Sequence, residues 1–159
     1  MNKILSEEVL HFVKGLDPVA DAFDGTVYSD VVDARNYGTT HFIVFKGVGT
    51  TGTSTITVQA CDDIVPTTRS AVAFRSRRCA NSADTAGALT ARTSAGFDTT
   101  AGSSELYVIE VDNTALAAAG YGYVQLKMVE VVNSPVVGCI LVAMGNARYP
   151  SASQESAID

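Results

Sequence analysis

Tryptophan is absent from this chain of 159 residues, and only 18% of the residues are charged. Sugar-binding clefts commonly use tryptophan faces as platforms, so its absence disfavours carbohydrate chemistry. Acidic residues outnumber lysine and arginine, and the formal net charge is −6. Binding to nucleic-acid phosphates needs the opposite sign, so we expect no nucleic-acid partner.

Long apolar runs are also missing. No stretch approaches the about 18 apolar residues of a membrane span, so we expect no membrane partner. Glu7 and Glu8 interrupt the apolar stretch that a signal peptide would need. The three cysteines, Cys61, Cys79 and Cys139, lie far apart and form no C-x-x-C pair. This favours buried free thiols in a reducing cytoplasm and leaves a Cys61–Cys79 disulfide as the alternative.

Catalytic motifs are lacking as well. His11 and His41 lie in no metal-binding or catalytic pattern, and no G-x-S-x-G elbow is present. The acidic stretches 21–24 and 62–63 lack the spacing of a Ca²⁺-binding loop and are interpreted as solvated turn residues. We therefore expect no enzyme, no catalytic residue, no metal and no cofactor. The alternative, a capsule-degrading hydrolase, would need two carboxylates in one cleft.

The stretch KGVGTTGTST, residues 46–55, matches G-x-G-x-x-G, a pattern typical of dinucleotide-binding turns. Such a turn requires a following helix, whose N-terminus holds the pyrophosphate. The residues that follow, TSTITVQA, alternate polar and apolar side chains with the period of a strand. The pattern therefore predicts a Gly/Thr-rich hairpin between two strands.

The N-terminal segment predicts a short helix over residues 6–16. Ser6 can cap it, Glu7 and Glu8 suit its first turn, and Asp17-Pro18 would stop it. The apolar residues of this helix fall on one stripe, which we expect to pack on the domain's own core or, alternatively, on a neighbouring subunit. They are Leu5, Val9, Phe12, Val13 and Leu16.

From residue 26 onward the pattern becomes β. Turn residues separate about eight strand-like runs, which predicts an all-β, jelly-roll-like antiparallel sandwich. The predicted strands are 26–33, 40–46, 54–61, 71–78, 88–93, 106–111, 123–132 and 136–144. Residues 113–119 are expected to form a single helical turn. The domain organisation follows as a helix and linker over 1–25, a β-domain over 26–149, and a flexible C-terminal arm over 150–159.

The one basic cluster is FRSRRC, residues 74–79. On a strand, Arg75 and Arg77 point to one face, and Arg78 joins Phe74 on the other. Two adjacent guanidinium groups suit bidentate pairing with acidic groups of a partner. A solvated strand face is an equal alternative, and contact with DNA is a third.

Several strand segments resemble the auxiliary capsid proteins of tailed bacteriophages, also called decoration or cement proteins. The resemblance covers about residues 37–149 and rests on TITVQACDD, AVAFRSR, ELYVIEVD, GYVQLKMVEVVNSPVVG and the closing ARY. It implies a jelly-roll domain on the outside of the phage head that bridges major-capsid subunits, often as a dimer or trimer. It implies no catalytic residues.

We therefore expect a structural protein of the virion, made in the host cytoplasm, whose partners are the major capsid protein and itself. The alternative is a phage-borne β-domain that binds host-surface glycans through tyrosines such as Tyr121 and Tyr123. The candidate interface residues are Leu5, Val9, Phe12, Val13, Arg75, Arg77, Arg148 and Tyr149.

Overall fold

The structure, a computed structural model, describes residues 9–80, 85–149 and 154–158. These residues form two antiparallel β-sheets around one apolar core, with one short helix. The elements are β1 (Leu10–Val19), β2 (Thr26–Tyr28), β3 (Val32–Asp33), β4 (Tyr37–Lys46), β5 (Thr53–Cys61), β6 (Arg69–Val72), β7 (Phe74–Cys79), β8 (Thr90–Arg92), β9 (Phe97–Asp98), β10 (Glu105–Asp112), α1 (Asn113–Ala118), β11 (Tyr123–Val132) and β12 (Gly138–Ala147). The helix α1 is short, and no described helix has the length and apolar character needed to cross a membrane.

The strands divide into two sheets. Sheet A has the order β1-β12-β4-β10-β7-β8, and sheet B has the order β2-β11-β5-β6, with β3 paired to β11 and β9 paired to β5. The prediction of an all-β protein with two antiparallel sheets is confirmed. The expected number of about eight strands is too low, since the described residues contain twelve. One reason is that the predicted strand 71–78 is broken at Ala73, where the chain passes from β6 in sheet B to β7 in sheet A.

The core lies between the sheets and follows from strand alternation. Every second residue of β10 is buried, namely Glu105, Tyr107, Ile109 and Val111. On the opposite sheet, every second residue of β5 is buried in the same way. Full burial of an aliphatic side chain contributes about 1.5–3 kcal/mol, so this alternation fixes which face of each strand points inward.

The glycine run at residues 47–52 joins β4 to β5, and the expectation of a strand after it is confirmed. The expected hairpin is wrong, because β4 lies in sheet A and β5 lies in sheet B. The run crosses between the sheets against residues 134–137, with Gly47 N donating to Val137 O and Val137 N donating to Val48 O. A Cβ on Gly52 would stand 2.2 Å from the carbonyl oxygen of Ser134, so glycine there permits a close approach of two backbones.

The predicted N-terminal helix is wrong over the residues that the structure describes. The chain forms β1, which pairs antiparallel with β12, whereas residues 6–8 and Leu5 lie outside the described residues. Backbone pairing with the long β12 outweighs a local helical pattern, since helix propensity is only a weak preference. Gly15 helps this pairing, because a Cβ there would lie 2.9 Å from Ile140 Cγ2. Pro18 is tolerated because β1 is the last strand of sheet A in the described part of the chain.

The helical turn predicted at residues 113–119 is confirmed as α1. Asp112 caps it by accepting a 2.9 Å hydrogen bond from Thr114 N. Asn113 is buried, and its Nδ2 donates to Tyr37 O and Thr40 Oγ1, both at 3.0 Å. These bonds tie the corner between β10 and β11 to sheet A.

Residues 154–158 of the expected C-terminal arm lie against the β-domain. Ala157 is 3% exposed and belongs to the core, and its carbonyl oxygen accepts a 2.8 Å hydrogen bond from Asp33 N. The small polar composition of this segment gave no sign of burial, because Ala157 is its one residue in the core. Residues 150–153 and 159 of the predicted arm lie outside the described residues.

Candidate interaction surface

The outer side of sheet A is apolar across its central strands. Cross-strand pairing places Leu141 of β12 beside Ile43 of β4, and Ile43 beside Val108 of β10. The next row contains Phe45 of β4 beside Leu106 of β10. We call these five residues the outer apolar face. Phe45 is 46% exposed and Leu141 is 41% exposed, although aromatic and leucine side chains of this size normally lie inside a monomer.

Small and sulfur-containing residues extend the outer apolar face. Cys139 lies beside Phe45, and Cys79 lies beside Leu106. Neighbouring strands are about 4.8 Å apart and residues on one face about 6.7 Å apart, so these seven positions cover on the order of 225 Å². This area approaches the roughly 300–600 Å² of the largest apolar patch on a typical monomer, and such a patch is often functional.

Charged groups border this face on β7 and in the row next to Leu141, Ile43 and Val108. Arg75 Nη2 donates to Glu110, and His41 Nε2 lies 3.6 Å from the second carboxylate oxygen of Glu110. Arg77 lies beside Val108, and it makes no ion pair within the part of the chain that the structure describes. The rim therefore offers a guanidinium group to a partner next to an apolar surface.

The outer side of sheet B has the opposite character. Its two central strands place Thr55 beside Val129, Thr57 beside Lys127, and Gln59 beside Gln125. Polar side chains dominate these rows, as is usual for a solvated sheet face. The two faces of the sandwich therefore differ, and the apolar one is the candidate interaction surface.

A buried group of charges fixes the loops below the outer apolar face. Lys46 is 1% exposed, and its Nζ donates to Gly52 O at 2.9 Å and to Thr100 O at 2.6 Å. Burial lowers the pKa of Lys46, and the nearby carboxylate of Glu105 partly offsets this effect. Glu105 accepts two hydrogen bonds from Arg78, at 2.5 and 2.6 Å. The arrangement satisfies the buried ammonium by backbone carbonyls and leaves it no access to a substrate.

The predicted interface residues form no single cluster, although Phe12, Arg75 and Arg77 all point to the outer side of sheet A. Val9 and Phe12 are each 45% exposed, whereas Val13 packs against the core, because alternation along β1 sends Phe12 and Val13 to opposite faces. Arg75 and Arg77 lie on β7, on the far side of the outer apolar face from β1. Arg75 and Arg77 share one face of β7, as predicted, because Phe74 before them and Ser76 between them are buried on the opposite face.

Arg148 and Tyr149 follow the end of β12 and are exposed, with Tyr149 78% exposed. Tyr149 borders a cavity of about 370 Å³ together with Asp33, Arg35 and residues 154–157. Burial would raise the pKa of Asp33, but hydrogen bonds from the side chain and backbone of Arg35 hold it below its usual value. A general acid needs a raised pKa, so Asp33 does not suit that role.

Other candidate chemistry is dispersed in the described residues. No group of three histidine, cysteine or acidic side chains there could hold a metal ion. The three cysteines are free, so the alternative Cys61–Cys79 disulfide is wrong. Tyr121 packs against the core, and the guanidinium of Arg35 lies 4.8 Å from the centre of the Tyr123 ring. These two tyrosines therefore do not form an open aromatic platform.

The outer apolar face was missed by sequence reasoning, although the sequence carries its signal. Strand β4 contains the stretch HFIVF. Phe42 and Val44 point to one side of the strand, whereas Ile43 and Phe45 point to the other. All four residues are apolar. Such continuous runs are typical of strands covered on both faces. Here the described residues cover one face only, so the second apolar set is left exposed.

No protein-family model matches this sequence, and no curated protein matches it. Among solved structures, the SPBc2 prophage-derived protein YomS is similar over 84% of this chain and 92% of its own length, with 14% sequence identity and a TM-score of 0.41. That identity and score are too low to transfer a function or a detailed fold.

Proposed function

We propose that this protein is a non-enzymatic structural protein of a tailed-phage head, which binds the outside of the capsid shell and cements neighbouring major-capsid subunits. The observation that carries the proposal is the outer apolar face, in which the large side chains of Phe45 and Leu141 are exposed. A flat apolar surface between charged rims suits a broad contact with another folded protein.

The rim of the face specifies the chemistry of the partner. Arg77 lies beside Val108 and has an uncommitted guanidinium, so the partner should present a carboxylate next to an apolar patch. The polar side of sheet B would then face solution, which agrees with a protein that coats a particle from outside. Many copies on one lattice allow each contact to be modest, because multivalency supplies retention.

The sequence resemblance to phage decoration proteins supports the same reading. We also infer a jelly-roll-like sandwich, because successive strands from β10 to β12 alternate between the two sheets. Binding of host glycans remains the alternative function. Nothing in the described residues favours it specifically, since the tyrosines it relies on are engaged with Arg35 and with the core.

The test uses heads that lack this protein, mixed with the purified full chain and sedimented. The unmodified chain should sediment with the heads at saturating, stoichiometric occupancy. Leu141→Lys adds a charge to the outer apolar face and should weaken binding at least about tenfold, the effect of losing roughly 1.4 kcal/mol. Val131→Lys, on β11 and 53% exposed, is the matched control and should bind normally.

Two outcomes would overturn the proposal. One is the absence of the unmodified chain from sedimented heads at all concentrations tried. The other is equal binding by the Leu141 and Val131 variants, which would move the contact away from the outer apolar face. A glycan-dependent rise in melting temperature, with no binding to heads, would favour the alternative function.

A further inference from the structure

A cleft of about 380 Å³ lies between the two sheets, where β7 and β8 of sheet A approach β9 of sheet B. Its volume is within the range of small-molecule sites. The three strands contribute two guanidinium groups and one aromatic ring to its lining, namely Arg78 of β7, Arg92 of β8 and Phe97 of β9. The cleft therefore combines positive charge with an apolar wall.

Strand pairing decides which side chains point into the cleft. Arg78 lies opposite Tyr107, and Arg92 lies opposite Phe74. Tyr107 and Phe74 are both buried in the core between the sheets. Residues directly opposite each other on paired strands point to the same side of the sheet, so both arginines point to the inner side of sheet A.

Two other charged residues border the cleft, but their side chains point away from it. Arg77 precedes Arg78 on β7, so it points to the outer side of sheet A. The carboxylate of Asp98 accepts a hydrogen bond from Thr55 Oγ1 on the outer side of sheet B. Among the described lining residues, the side-chain charges inside the cleft are therefore those of Arg78 and Arg92.

These two arginines differ in their partners. Arg78 donates to both carboxylate oxygens of Glu105, from Nε at 2.5 Å and from Nη2 at 2.6 Å. Arg92 donates from Nε to Ser76 Oγ at 2.9 Å, and its guanidinium carbon lies 4.8 Å from the centre of the Phe97 ring. Within residues 9–80, 85–149 and 154–158, no carboxylate pairs with Arg92, and neither of its Nη groups donates a hydrogen bond. The described part of the cleft therefore holds one uncompensated positive charge.

The two contacts of Arg92 hold its guanidinium group in place. Ser76, which accepts from Nε, is 2% exposed, and Phe97 packs beside Tyr107 with the ring centres 5.6 Å apart. Because Nε is engaged, the two Nη groups are left to face a ligand, and their N–H bonds match the two oxygens of a carboxylate. Donors that are already fixed lose little side-chain entropy when a ligand binds.

We propose that this cleft binds a carboxylate group on a short apolar stem, with the carboxylate accepting hydrogen bonds from both Nη groups of Arg92 and the stem contacting Phe97. One carboxylate balances the one uncompensated charge. A phosphate monoester carries about −1.5 to −2 at neutral pH and would bring excess negative charge close to Glu105. The proposal does not rest on shell binding, because the cleft is on the inner side of sheet A and the outer apolar face is on the other side.

The carboxylate can come from a glutamate side chain of a protein partner or from a free small carboxylic acid. The test titrates the ¹⁵N-labelled full chain and follows its amide signals by NMR. The four probes are the peptide acetyl-Ala-Glu-Ala-amide, its uncharged counterpart acetyl-Ala-Gln-Ala-amide, butyrate and inorganic phosphate. The glutamate peptide or butyrate should shift the signals of Thr90, Arg92 and Phe97 saturably, and the glutamine peptide should not. Tighter binding of the peptide indicates a protein source, and tighter binding of butyrate indicates a free acid.

Variants test the role of Arg92. Arg92→Met keeps a stem that can pack on Phe97 but removes the donor pair, so it should raise the dissociation constant at least about tenfold. Arg92→Lys keeps the charge without the planar fork and should weaken binding severalfold, which preserves the test if Arg92→Met does not fold. Arg69→Met is the matched control, since Arg69 also stacks on a ring, that of Tyr28, but lies outside the cleft. It should bind the probe normally.

Four results would overturn the proposal. They are the absence of a saturable shift with either carboxylate probe, equal binding of the glutamate and glutamine peptides, tighter binding of phosphate than of either carboxylate, and unchanged affinity in folded Arg92 variants. Melting curves of each variant, measured beside the unmodified chain, show which variants fold.

Discussion

The guanidinium carbon of Arg69 lies 5.5 Å from the centre of the Tyr28 ring, although the two residues belong to opposite edges of sheet B. The contact therefore spans the outer side of the central strands β11 and β5. Gln125 on β11 is only 2% exposed, although it alternates with the inward residues Val124 and Leu126. The Tyr28–Arg69 contact therefore covers part of the outer side of sheet B, and we call it the clasp.

Removing the Tyr28–Arg69 contact should lower the stability of the fold by a small, measurable amount. We expect Arg69→Met to lower the free energy of unfolding by about 0.5–1 kcal/mol, the range of an exposed cation–π contact. Urea unfolding with an unchanged m value would measure it. Arg148→Met, at an exposed arginine for which the structure records no ring contact, is the control, and equal effects of the two changes would contradict the clasp.

Gly52 should be intolerant of any side chain. A Cβ there would lie 2.2 Å from Ser134 O and 2.6 Å from Val136 Cγ2, both in the segment before β12. We expect Gly52→Ala to destabilise the fold by about 1–3 kcal/mol through overpacking. Thermal unfolding of this variant beside Thr51→Ala, at the exposed neighbouring position, checks the expectation. Similar melting temperatures for the two variants would show that the backbones at Gly52 and Ser134 can move apart, and would contradict the expectation.

The loop from Asp62 to Thr68 should loosen in acid. Hydrogen bonds from Thr67 Oγ1 and from the backbone N–H groups of Thr67 and Thr68 lower the pKa of Asp62 from 3.8 to about 2. A lowered carboxyl pKa means stabilisation that is complete above 3.8 and is lost as the pH falls towards about 2.

We therefore expect the amide protons of Thr67 and Thr68 to exchange faster as the pH falls through this window, after correction for intrinsic exchange. Asp62→Asn should show fast exchange already at neutral pH. Asp24→Asn, at an exposed loop position, should leave these amides unchanged. If the protection of the Thr67 and Thr68 amide protons from exchange is independent of pH in the unmodified chain, this prediction is wrong.

The three thiols should react at different rates. Cys61 is fully buried, and burial raises its pKa to about 11, so we expect it to resist alkylation of the native protein at about pH 8. Cys79 and Cys139 are partly exposed beside the outer apolar face and should react. Mass spectrometry after alkylation with and without denaturant measures the pattern. Binding to heads should slow the reaction of the two exposed thiols, and labelling of native Cys61 would contradict its burial.

Local sequence patterns predicted most of the sandwich, because period-two alternation is decided within each strand. ELYVIEVD illustrates this, since its burial alternates along the whole of β10. The partners of a strand were not predictable in the same way. The N-terminal segment has helix-like spacing, and only the distant β12 turns it into β1. Likewise, the glycine run after β4 has the composition of a hairpin, whereas contact with residues 134–137 makes it a crossing between sheets.

The candidate surface was only half predictable for a related reason. Arg75 and Arg77 share a face, as their spacing requires, and they border the outer apolar face. The residues of that face come from three strands that are distant in sequence, β4, β10 and β12. The sequence shows that β4 is apolar on both sides. Which of the two sides stays exposed depends on the order of the strands in the sheet, and the sequence does not show that order. Ala157 shows the same limit, since its burial depends on contacts with residues that are distant in sequence.

The contrast between the threonine- and glutamine-bearing side of sheet B and the apolar side of sheet A makes the folded domain itself amphiphilic. A domain with one apolar and one polar side should adsorb to a hydrophobic support in one orientation, with the outer side of sheet A against the support. Cargo attached to the polar side of sheet B would then face away from the support, and the chain would serve as a self-orienting display scaffold.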